Sequence, residues 1–153
     1  MTILPSYGPP RSKRTSVLAL TAAVMLVVMT LAQLYGYEDQ PTIISTLMPF
    51  DDQPLSAVVA AMIVLAQLLS LPYLLGMYLS KLMRLFSALV GLGVSAFWLF
   101  TTLTNAHAQN AGLFSSTFEL QGGIIAALWT MALFACVSVV AAADSKFRHD
   151  TSS

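Results

Sequence analysis

The fold class the sequence predicts is an all-α, integral-membrane four-helix bundle, and three observations predict it. Four long apolar segments run through the chain. Hydrophobic residues make up 57% and charged residues only 9%, against roughly 25% charged in soluble domains. The Lys and Arg residues gather in three clusters beside the apolar segments. A helix rises 1.5 Å per residue, so ~20 apolar residues cross ~30 Å of hydrocarbon. A length of 153 residues then holds four spans with short connections and no second folded module.

Residues 1–16 contain Pro5, Gly8, Pro9 and Pro10 followed by Arg11, Lys13 and Arg14, and read as a disordered basic tail leading into the membrane. The first span is expected over 17–35, with Thr21, Thr30 and Gln33 as its only polar interruptions. Thr30-Leu31-Ala32 loosely fits a cleavage site after a basic leader, but the run is longer than the apolar core of a signal peptide, so retention is the preferred reading. The next connection, 36–54, is acidic and cation-free. Within it Asp39, Pro41 and the apolar residues Ile43, Ile44, Leu47 and Met48 predict a short amphipathic helix, stopped by Pro49, that rests at the membrane surface or serves as a lid.

The second span is expected over 55–79, with Asp52 placed to cap it. Gln67 falls near its middle, where an unpaired amide in hydrocarbon is costly and must turn inward to a partner. Pro72 removes a backbone donor and leaves the Leu68 carbonyl without its helical partner, which predicts a kink. Gln67, Ser70 and Pro72 thus form a candidate ligand pocket, or interhelical glue beside a bend. The third span, 85–103, spaces Ser87, Gly91 and Ser95 four residues apart, the small-residue stripe that lets membrane helices approach closely. Phe97, Trp98 and Phe100 near its outer end predict an interfacial aromatic belt.

The second outer connection again lacks Lys and Arg and holds His107 and Glu119. His107 reads as a solvated loop residue, because no second ligand stands at metal spacing. The fourth span, 122–143, carries Gly122, Gly123 and Ala126 among further alanines and reads as a tightly packed inner helix, with Cys136 as a small apolar residue. Residues 144–153 read as a disordered tail. Cations stand before span one, between spans two and three, and after span four, so both termini are expected in the cytoplasm; a plasma-membrane location is expected from the compact loops and from the resemblance given below.

No Asp, Glu, Lys, Arg or His lies deep in any span, which disfavours proton relays and ion-coupled transport. Paired intramembrane histidines for haem are missing too. One cysteine excludes an internal disulfide and a multi-cysteine zinc site, and no basic stripe for nucleic acid is present. No catalytic residue and no metal site is therefore expected.

The run from Tyr37-Glu38 to Pro49, then Leu65-Ala66-Gln67-Leu68-Leu69 leading to Leu74-Leu75-Gly76, then a basic turn at Lys81 and Arg84, resembles the DoxX/MauE group of small four-helix bacterial membrane proteins over residues 17–143. Those families often carry an acidic residue where Gln67 stands, and MauE-like members often have cysteines in the last outer loop, where this chain has none. The resemblance implies an accessory subunit of a membrane redox or quinol-linked system, or a maturation factor for a periplasmic redox protein. The expected function is a non-catalytic accessory or assembly subunit with no resident cofactor, whose partners are the lipid bilayer and other membrane subunits. The alternative is a redox component that binds a quinone or other lipid near Gln67 and Pro72.

Overall fold

Ser12 starts the first helix: its hydroxyl accepts from the Thr15 N–H at 3.2 Å, giving a partner to one amide that a helix start leaves unpaired. The computed structural model describes residues 11–47, 53–105, 107, 110–116 and 123–150. Its elements are α1 (Lys13–Tyr35), α2 (Gln40–Leu47), α3 (Gln53–Leu74), α4 (Lys81–Thr104) and α5 (Ile124–Asp150). Four of these, all but α2, are long and apolar enough to cross a membrane, and no strand occurs among the described residues.

The long helices close a ring in which α1 packs on α3, α3 on α4, α4 on α5 and α5 on α1. Along α1, Ala19, Ala22, Ala23, Leu26, Met29, Thr30 and Gln33 are buried, while Val17, Leu20, Val24 and Leu31 are exposed. Both faces are apolar, and the inner one holds the small and polar residues. A water-soluble helix shows the opposite arrangement, whereas helices that associate within lipid select small residues for close approach.

Several boundaries differ from the expected ones. Lys13 to Ser16 and Asp144 to Asp150 are helical, where tails were expected; residues 1–10 and 151–153 lie outside the described set. α3 ends at Leu74, short of 79, because Gly76 adopts φ 68°. The Gly76 N–H donates to Tyr73 O at 3.2 Å and the Met77 N–H to Pro72 O at 3.0 Å, the paired bonds of a glycine-terminated helix end. Pro72 therefore sits in the last turn of an α3 that stays helical through it. α4 begins at Lys81, ahead of 85, with Ser80 as its cap. The expected caps and stops at Asp52 and Pro49 lie outside the described residues.

The aromatic belt is also corrected. Phe100 is 65% exposed, but Trp98 is 0% exposed and meets Phe97 edge-on at 5.3 Å. The α5 expectation changes as well: Ala126 is buried, yet Ala132 and Ala135 are exposed, so this helix does not lie wholly inside. Cys136 is half-buried.

In the connection between α4 and α5, the described segment 110–115 packs against the bundle, whereas His107 is exposed as expected. Ala111, Gly112, Leu113, Phe114 and Ser115 are buried. Gln33 Nε2 donates to Leu113 O at 2.9 Å, Gln40 Nε2 to Gly112 O at 3.4 Å, and Ser115 Oγ to Gly36 O at 2.6 Å. Buried backbone polar groups need such partners wherever regular structure does not supply them. Gly112 has φ 74°, and a Cβ there would stand 2.9 Å from Leu47 Cδ1 and 3.1 Å from Ile43 Cγ2. α2 thus lies directly over this segment, with Ile44 buried, and so covers one end of the helix bundle of its own chain.

Candidate functional site

The interior polar groups lie at three levels. In the middle, Gln67 and Ser70 of α3 are wholly buried. The Thr30 hydroxyl donates to Gln67 Oε1 at 2.7 Å, tying α1 to α3, and Ser70 Oγ donates to the Gln67 carbonyl at 2.7 Å. Gly91 on α4 faces Ser70 so closely that a Cβ on it would lie 3.2 Å from Ser70 Cβ and 3.8 Å from Val137 Cγ1 of α5. Ser87 and Ser95 are buried on the same face of α4, and Ser95 Oγ returns its hydrogen bond to Gly91 O at 2.9 Å. The stripe Ser87, Gly91 and Ser95 is therefore occupied within the bundle.

Pro72 is half-buried five residues beyond Gln67 toward the end of α3. Gly123 has φ 147°, and a Cβ there would meet nothing within 4 Å. Gly122 lies outside the described residues.

Among the described residues, Gln67 Nε2, Trp98 Nε1 and Ser87 Oγ are buried without a hydrogen-bond partner. The Gly91–Ser70 contact sets the register. Gln67 is three residues from that contact along α3 and Trp98 seven along α4, both toward α2, so their backbones differ axially by about 6 Å, and the Trp98 ring lies against Gly112, whose Cβ would stand 3.6 Å from its Cζ3. Ser87 is four residues inward, about 6 Å the other way, and belongs to a different level. An amide N–H and an indole N–H are neutral donors, and an indole accepts nothing. Neither donor can move a proton.

At the level of α2, Gln33 Oε1 and Gln40 Oε1 are also buried and unpartnered. A carbonyl only accepts, so each amide must turn its nitrogen to the loop and leave its oxygen inward.

The level at the end of α3 and the start of α4 is ionic and escaped the sequence reading. Arg11 Nη1 donates to Leu74 O and Arg11 Nη2 to Tyr73 O, both at 2.9 Å. Arg11 Nη2 also meets Asp144 Oδ2 at 3.1 Å, and the guanidinium lies 5.0 Å from the Tyr73 ring centroid. Arg84 Nη2 reaches the same Oδ2 at 2.9 Å. The three charged side chains are 10%, 16% and 12% exposed for Arg11, Arg84 and Asp144. One carboxylate thus joins the lead-in to α1, the end of α3, the start of α4 and the end of α5. The signal was present: Asp144 is an acid directly after the last apolar run, at the end where the cations gather.

No family model, curated protein or solved structure matches the chain.

Proposed function

We propose that the protein is a non-catalytic accessory or assembly subunit of a membrane redox or respiratory system, docked on other membrane helices through the outer face of α5. The observation that supports this is the position of the small residues left outside. Ala132 and Ala135 are exposed in one stripe with Leu128 and Val139, which are 60% and 49% exposed. Small residues between larger ones on a lipid-facing helix allow a partner helix to come close. The α4 stripe is closed by Ser70 and Val137 and so does not serve this docking. The redox association rests on the resemblance to the DoxX/MauE group. The charge distribution supports an orientation with both termini cytoplasmic, and the plasma-membrane placement rests on the compact loops and the same resemblance.

A photo-reactive side chain at Ala135, with Val24 on α1 as control, is expected to yield an adduct with another membrane protein in the native host. Ala135→Phe is expected to cut co-purification of that protein at least tenfold without unfolding the bundle. Adducts with lipid alone at both positions would remove the docking face.

A second reading, binding of a quinone or another carbonyl-bearing lipid beside Gln67, is favoured by the two unpartnered donors Gln67 Nε2 and Trp98 Nε1. A buried donor without an acceptor costs about 1–3 kcal/mol, which a ligand carbonyl would relieve. Gln67→Leu should then abolish retention of bound isoprenoid in a purified, folded protein. Equal isoprenoid content in the variant and the parent chain would exclude the pocket.

A further inference from the structure

We propose that the end of the bundle held by Asp144 binds the phosphate of one anionic phospholipid, through Arg84 and Lys81. Among the described side chains, this end carries Arg11, Lys13, Arg14, Lys81 and Arg84 against the single acid Asp144, while Glu38 and Asp39 stand at the opposite end. Both guanidiniums of the clamp share one carboxylate oxygen, so the cluster keeps an uncompensated positive charge at a largely desolvated position.

The two arginines are used differently. Arg11 divides its two terminal nitrogens among Leu74 O, Tyr73 O and Asp144. Arg84 gives Asp144 one nitrogen, Nη2, and the guanidinium fork has further donors for a second, charged acceptor. Lys81 is exposed three residues earlier on α4, on the same helix face. Bidentate and point-charge donors side by side suit the oxygens of a phosphate.

The neighbouring surface distinguishes a lipid from a free anion. Leu82, Leu85, Phe86 and Leu89 of α4 are 80%, 47%, 49% and 59% exposed and form one apolar stripe leading from Lys81 toward the middle of the helix. Acyl chains attached to a phosphate at Arg84 would lie along it. Each Lys or Arg near an anionic membrane surface contributes about 1 kcal/mol, so a preference of at least tenfold over a zwitterionic lipid is expected from the pair. The proposal is independent of any docking at α5.

The test uses the full chain in mild detergent with phosphatidylglycerol, phosphatidylcholine or inorganic phosphate, and reads retained lipid by native mass spectrometry together with the thermal midpoint. The parent chain should retain phosphatidylglycerol at least tenfold more tightly than phosphatidylcholine and gain thermal stability from it. Lys81→Gln leaves the Asp144 contacts in place and should lose about fivefold; adding Arg84→Gln should abolish the preference. Equal retention of the two lipids, or an unchanged preference in Lys81→Gln, overturns the site. Stabilisation by inorganic phosphate equal to that by phosphatidylglycerol assigns a free-anion site and overturns the lipid.

Discussion

Asp144→Asn is expected to destabilise the folded bundle by about 3 kcal/mol, because removing one member of a buried ion pair leaves its partners charged and desolvated. Two guanidiniums lose their counterion at once here, as Arg11 and Arg84 both bond the same Oδ2 at 3.1 and 2.9 Å. The Arg11 bonds to Tyr73 O and Leu74 O would persist only if the guanidinium stays in place without compensation. Unfolding in mixed micelles, titrated with a denaturing detergent, measures the loss. The double variant Asp144→Asn with Arg84→Gln should recover part of it, since the second change removes one unpaired charge; that non-additivity separates an ionic role from simple packing. A loss of only a few tenths of a kcal/mol, the range of exposed surface pairs, would mean that solvent already screens the three groups and that no clamp holds the helix ends together.

Gly91→Leu should separate α3 from α4, at a cost of about 2–3 kcal/mol. The first added carbon already lies 3.2 Å from Ser70 Cβ and 3.8 Å from Val137 Cγ1, so Gly91→Ala asks for a shift of a few tenths of an ångström, while the three further carbons of leucine have no space. Gly93 provides the control on the same helix. A Cβ there meets nothing within 4 Å, and replacing a helical glycine recovers up to about 1 kcal/mol of backbone preference. Gly93→Leu should therefore be neutral or mildly stabilising under the same titration. If the two leucine variants behave alike, the α3–α4 seam is not the close contact that Ser70 and Gly91 make.

One interior polar contact was legible from the residue alone. Gln67 was expected to turn inward and find a partner, and Thr30 meets it at 2.7 Å. Which helix supplied that partner was not legible, because a lone hydroxyl in an apolar run carries no address. Trp98 was read as interfacial from its place near two aromatic residues, yet it is wholly buried, with its ring against the segment at Gly112. Its neighbours in sequence are equally apolar, and in lipid both the inside and the outside of a helix accept such residues, so periodicity does not separate the faces. The end of α3 at Gly76 could have been read from the glycine itself, whose φ of 68° stops a helix that the apolar run would otherwise extend.

What the sequence alone determined is the set of four long apolar helices and the gathering of cations at the membership of one set of helix ends. Both follow from local composition, because a backbone in hydrocarbon must satisfy its own hydrogen bonds and charged groups are driven to the ends. The tertiary structure decided how those helices pair, which small residues face inward, that the connection around Gly112 and Leu113 is folded under α2, and that Arg11, Arg84 and Asp144 meet. Arg11 and Asp144 are 133 positions apart, and such contacts depend on helix rotation and register, which an apolar sequence in an apolar solvent leaves open until the packed side chains choose.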